Sequence, residues 1–275
     1  MIEQARQQVL NDRPERPGEY VLYWMQQSQR ERFNPALETA VGCANRLGLP
    51  VLVGFGLTDG YPDANARHYA FMLEGLADVG AALERRGIAF AVLRGSPEAV
   101  AIELSRKAAL VVCDRGYLRH QRAWRAALAE AAACRVVQIE GDAVVPVDLA
   151  SAKQEIGART LRPKILRVRD EFVRPLPRTP VKVKADTLAL PKALDLSDTG
   201  RLLARLDIDR SVAPVATMPS RIRAFRAFAA PAPPSMSAAS AKPGHSAKTS
   251  HAAAQRGNFM LCLLRSRGPA GAGRI

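Results

Sequence analysis

Asp114 and Arg115 follow a short apolar run, 110–113, and set a carboxylate beside a guanidinium where a strand gives out. Such a pair can orient a polar ligand, and it can equally be a half-exposed ion pair of surface structure. Two other apolar runs end in groups with flat or soft faces: Trp24-Met25 in one, Gly54-Phe55-Gly56 in the other. Those faces suit a planar ligand and serve as well for plain core. Histidine chemistry has little material. The chain holds four histidines, of which His245 and His251 fall in the last sixty residues, leaving His68 and His120. No Ser-His-Asp or Cys-His arrangement can be assembled, no catalytic residue is assigned, and His68 reads as a buried, hydrogen-bonded imidazole. Cys43, Cys113, Cys134 and Cys262 are scattered, without a CxxC pair or a histidine at ligand spacing. They indicate neither a disulfide framework nor a metal site and read as small apolar residues in a reducing compartment. The densest charge cluster is 153–169, where Lys153, Arg159, Arg162, Lys164, Arg167 and Arg169 stand against one acid, Glu155. A segment of this kind is either a nucleic-acid stripe or a solvated or domain-contacting helix.

The elements that must position these groups alternate. Short β-branched runs at 20–24, 50–57, 89–93, 110–113 and 135–139 are separated by amphipathic stretches at 35–47, 64–86, 97–107 and 121–133. Five strands with intervening helices predict a doubly wound α/β fold with a mostly parallel sheet, because right-handed crossovers put helices on both faces. Gly48 and Gly87 close helices, and Ser96-Pro97 opens one with a capping hydroxyl and a proline at its first position. Tyr69, Met72, Leu73, Leu76, Val79 and Leu83 recur at three- and four-residue spacing, a stripe for packing on the sheet.

Ligands of such sheets sit beyond the carboxyl ends of the strands, near the point where strand order reverses. This logic selects Trp24, Met25, Phe55, Asp114 and Arg115. The turn after the first strand, 25–32, contains no glycine, which argues against a dinucleotide dehydrogenase; the lone Gly54-Phe55-Gly56 reads as a tight turn.

Composition divides the chain. All 26 acids precede Ala216, and the sixty residues from there on are rich in Ala, Pro, Ser and Arg, so about +9 of the formal charge of +14 belongs to that tail. An unstructured basic tail carries charge without presenting a shaped site, so total charge alone does not establish a nucleic-acid partner. The polar opening residues exclude a secretory signal and no run is long enough to span a membrane, which makes a cytoplasmic, membrane-free monomer the expectation.

Several strings taken together resemble the class II deoxyribodipyrimidine photolyases. They are Tyr23-Trp24-Met25-Gln26, Asn34-Pro35-Ala36-Leu37, and Arg67-His68-Tyr69-Ala70-Phe71-Met72-Leu73-Glu74-Gly75-Leu76. Leu93-Arg94-Gly95, the Asp114 turn with Trp124 downstream, Val145-Pro146-Val147, Lys153-Gln154-Glu155, 158–165 and Asp209-Arg210-Ser211-Val212 continue the series in order, covering roughly 18–213. The resemblance implies a Rossmann-like N-terminal domain that binds an antenna pigment, a deazaflavin in some relatives, joined to a helical domain holding FAD. It implies light-driven repair of cyclobutane pyrimidine dimers in DNA as the family activity.

The expected organisation is a flexible 1–17, an α/β domain over 18–173, a linker with the start of the flavin domain over 174–215, and a low-complexity tail over 216–275. The family's flavin-domain motifs do not appear after 213, and the expectation is a frameshifted or truncated chain that keeps the antenna side and is inactive alone. Residues 181–215 would then be poorly ordered. Weak chromophore retention follows, since the pocket's other wall would come from the second domain, and Arg159, Arg162 and Lys164 would face that domain or DNA. A cryptochrome-like photoreceptor and a basic nucleic-acid-binding protein are the alternatives.

Overall fold

The computed structural model describes residues 3–186, 188–190 and 192–215, so the tail and everything expected of it lie outside the described residues. Six strands form one sheet: β1 (Gln7–Val9), β2 (Tyr20–Trp24), β3 (Val51–Leu57), β4 (Ala89–Arg94), β5 (Ala108–Asp114) and β6 (Arg135–Ile139). Their order is β1-β6-β5-β2-β3-β4, parallel throughout except for β1, which runs antiparallel to β6 with Gln7 opposite Ile139. The doubly wound expectation holds, with a sixth strand added. That strand comes from the stretch expected to be flexible. Arg6 fixes it by donating to the carbonyls of Glu140, Ala143 and Val144, contacts that join positions too far apart in sequence to be read from a local pattern.

The crossovers run as the handedness rule requires. Helices α1 (Pro35–Leu47) and α2 (Ala66–Glu84) cover one face; α3 (Pro97–Ser105) and α4 (Arg119–Ala131) cover the other. β2, β3 and β5 are buried along their whole length, the signature of a sheet covered on both sides. Along β2 the side chains alternate between two cores: Val21 and Tyr23 pack under α1, while Tyr20, Leu22 and Trp24 pack with α3 and β5. The stripe of α2 packs as expected, with Tyr69, Leu73, Leu76, Val79 and Leu83 buried and Met72 partly so. Gly48 sits at φ 69° and ends α1 in the left-handed conformation that a side chain disfavours. Ser96 precedes α3, but its hydroxyl makes no capping hydrogen bond, and Pro97 alone marks the start.

Residues after 180 depart from expectation. Val181, Leu194, Leu196, Leu202, Leu203, Leu206 and Ile208 pack against the α1–α2 core, the last four within or just after the short helix α7 (Thr199–Ala204). Backbone bonds stitch this strap down: Ala185 donates to Gly87, Leu194 to Val92, and Ala66 to Asp209. The leucines were spaced too irregularly to show a period, yet each finds apolar surface. At the strap's root, Arg86 lies buried between Glu31 (3.5 Å) and Glu38 (2.8 Å), and Arg178 adds a second bond to Glu31. A single-turn helix, α5 (Val147–Ala150), and a longer one, α6 (Ala158–Phe172), complete the described part; α6 has no buried residue.

Candidate ligand-binding site

Strand order reverses between β2 and β5, since β2 leads outward to β3 and β4, whereas β5 leads to β6. The carboxyl ends of those two strands therefore flank the crevice where ligands of such sheets bind. Two different arrangements meet there.

The first is a clamp around Asp114. Its Oδ2 accepts from the backbone N–H groups of Gln26, Gln27 and Ser28 at 3.0, 2.9 and 3.0 Å, and its Oδ1 accepts from the Tyr23 hydroxyl at 2.8 Å. Tyr23 Oη in turn accepts from Asn34 Nδ2, which also reaches the carbonyls of Ser28 and Arg30, while Asn34 Oδ1 caps α1 at Leu37 N–H. Burial pushes the Asp114 carboxyl up, and the four donors pull it back. With its oxygens engaged and only 3% of its surface exposed, Asp114 shapes the 26–28 loop and offers nothing to a ligand. Arg115 points elsewhere, to Glu140 and Asp148, with its guanidinium over the Tyr117 ring.

The second is a cleft beside the clamp. Trp24, Met25, Gln26 and Phe55 form its floor; Gln29, Tyr61, Met72, Pro97, Leu118 and Trp124 rise around a space of about 310 Å³. A wider hollow of about 530 Å³ adjoins it along Phe55, Tyr61 and Met72 and continues past Tyr69 and Phe71. His120 packs on two lining rings, meeting Tyr61 edge to face at 5.1 Å and lying tilted at 4.8 Å from Trp124 by ring centroids. Inside, Trp24 Nε1 and both amide atoms of Gln26 are buried without a hydrogen-bond partner. Buried polar atoms are ordinarily paired, so an indole N–H and an amide left bare beside one cavity make this cleft the candidate site.

Trp24, Met25 and Phe55 thus share one cleft, whereas Asp114 and Arg115 do not face it. Sequence reading passed over Gln26, Tyr61 and Trp124, which line the cleft, and His120, which packs on the last two. Gln26 could have been found by the strand-end rule, as it follows Met25 directly; the other three come from loops and helix ends that no period marks. His68 is exposed, its Nδ1 accepting from Asn65 N–H as part of a capping box, rather than buried. Of the basic segment, Arg159 and Arg162 are exposed on α6, and Lys164 pairs with Glu155.

A family model described as DNA photolyase matches residues 21–181, more than half of the chain. The chain belongs to the DNA photolyase family. A deoxyribodipyrimidine photo-lyase of Methanothermobacter thermautotrophicus is 42% identical over 214 residues, covering 77% of this chain and 48% of that protein. One from Oryza sativa subsp. japonica is 33% identical over 193 residues, covering 66% and 38% respectively. This photolyase-family chain therefore spans about half or less of the length of these relatives. Among solved structures, a bacterial class III photolyase from Agrobacterium tumefaciens superposes with a TM-score of 0.51 at 21% identity, covering 77% of this chain and 41% of that one, a likeness of fold. Among the described residues no helix is long and apolar enough to cross a membrane.

Proposed function

We propose that residues 18–215 are the light-harvesting side of a class II deoxyribodipyrimidine photolyase, with the cleft at the switch point as its antenna site. The observation that carries this reading is the trio of unpartnered atoms, Trp24 Nε1, Gln26 Nε2 and Gln26 Oε1, beside an aromatic-walled cavity. A deazaflavin presents, on the pyrimidine edge of its flat ring system, carbonyl acceptors and an N–H donor. Those complement an indole donor and an amide that both donates and accepts. Phe55 and Trp124 would bracket the ring faces, and Met25 and Met72 supply adaptable sulfur contacts. When bound, such a pigment absorbs light and passes the excitation onward; the chain's own residues hold it, orient it and exclude water from its polar edge.

The activity served is light-driven repair of cyclobutane pyrimidine dimers in DNA, with FAD as the redox group of the helical domain that the resemblance implies. Dimer splitting requires a base drawn out of the stack beside that flavin, work that the resemblance gives to the helical domain. Arg159, Arg162 and Lys164 on α6 face that helical domain rather than a nucleic acid. The likeness to proteins named deoxyribodipyrimidine photo-lyase supports the repair reading over a signalling photoreceptor.

Fluorescence titration of the 275-residue chain with 8-hydroxy-5-deazariboflavin tests the antenna site. The expected result is weak, saturable binding in the micromolar range, reduced about tenfold by Gln26→Leu, as befits loss of one or two buried hydrogen bonds. Absence of saturation, or equal affinity in Gln26→Leu, would reject it.

A further inference from the structure

Beyond the Asp114 clamp, on the side away from the aromatic cleft, α4, β6 and the sheet edge enclose a second cavity of about 570 Å³. It shares no lining residue with that cleft. The hollow exists because α4 presents Ala126 and Ala129 opposite Gln8 and Leu10, where longer side chains would fill the space.

Its lining is basic. Arg115, Arg122 and Arg125 border it, against one carboxylate, Asp148. Asp148 is already taken, holding Arg115 through both oxygens at 2.7 and 3.0 Å, and buried Glu140 holds the same guanidinium at 2.9 Å. Arg122 and Arg125 form no ion pair among the described residues, and Asp114, the carboxylate whose charge reaches Arg125, already has its oxygens taken by the clamp.

Arg125 is the informative one. It is 6% exposed, yet its contacts are neutral: Gln138 Oε1 at 3.0 Å, the Gln121 carbonyl at 3.2 Å and the Gly116 carbonyl at 2.7 Å. Burial draws its pKa down, the sign of a desolvated cation. A guanidinium carries five N–H donors, so two remain for a ligand. At Gly116 a Cβ would stand 2.3 Å from Gln121 Oε1, so a side chain there would make that glutamine move. A loop and two glutamines thus hold a buried cation at a fixed angle beside an open space, with an exposed arginine, Arg122, one helical turn away. Charge, fork geometry and desolvation together select an oxyanion.

We propose that this cavity binds the phosphate group of a small molecule, with Arg125 as the buried anchor and Arg122 as the solvent-side arm. Phosphate is favoured over carboxylate because its several oxygens can engage two forks at once, and the volume leaves room beside Tyr117 and Leu10 for the organic part.

Calorimetric titration of the full 275-residue chain with pyrophosphate, at constant ionic strength, tests the site. Saturable binding is expected, weakened about tenfold by Arg122→Gln, a loss equivalent to one charge-assisted hydrogen bond. Arg122 is exposed, so this variant should keep its fold, which near-ultraviolet circular dichroism will verify. Arg162→Gln removes the same charge from α6 and is expected to leave affinity unchanged. Three results would overturn the proposal: no saturable heat, equal affinity in Arg122→Gln, or matching losses in both variants, which would reduce the effect to diffuse attraction.

Discussion

Asp114 and Gln26 lie at the ends of neighbouring strands, joined by a hydrogen bond from the Gln26 backbone, yet their side chains have opposite fates. The Asp114 carboxylate is ringed by four donors, while both amide atoms of Gln26 are buried and bare. Each carries a polar group that folding has removed from water, and the protein compensates only one of them. The charged residue at a strand end, the conventional suspect for chemistry, is architecture; the neutral one beside it lines the candidate cleft. Saturation of hydrogen-bonding capacity, more than charge, separates scaffold from binding surface here.

Removing the saturated group should have the largest effect. Asp114→Ala strands three backbone N–H groups and the Tyr23 hydroxyl, and the cost expected is about 3 kcal/mol of unfolding free energy. Urea denaturation measures it. A loss under about 1 kcal/mol would mean that the loop 26–28 is held by something else and would break the contrast with Gln26.

The same contrast explains what could be read from the chain beforehand. The five parallel strands, four main helices and the α2 stripe were legible because burial on a two-faced sheet enforces a local period. Asp114 was visible as a strand-end carboxylate, but its role depends on backbone donors 86 to 88 positions earlier, a relation no local pattern carries. Strand β1 and the strap of 181–208 were missed for a related reason: their short or irregular apolar residues gain meaning only from the surface they land on. Helix α6 is the converse case, a basic cluster conspicuous in the sequence that buries none of its residues.

Replacing the unsaturated group should have a smaller and opposite effect on stability. Gln26→Leu exchanges an unpaired buried amide for an apolar side chain of similar length, so it is expected to leave stability unchanged or raise it by up to about 1 kcal/mol. Thermal unfolding of the pigment-free chain reads this. A loss above about 1 kcal/mol would show that the amide has partners within the protein, and the cleft would lose its mark as a binding site.

The smallest effect belongs to Asp148, whose pairing with Arg115 completes the comparison by showing a saturated carboxylate left in contact with water. Its side chain is 69% exposed, and the hydrogen bonds from Arg115 hold its carboxyl below the usual aspartate value of 3.8. A folded-state value below the unfolded one means that stability is present above the unfolded pKa and is lost as pH falls through the folded one. Exposure screens the pair, so its contribution should stay under about 1 kcal/mol. Wild type and Asp148→Asn should therefore differ by a small, constant amount from pH 7 down to about 5 and converge below about 3.8 as Asp148 is protonated. Unfolding curves collected across that range check the sign. No gap at any pH would mean that Arg115 is held chiefly by buried Glu140, and a gap that widened on acidification would mean a folded-state pKa above the unfolded one, the reverse of the sign argued here.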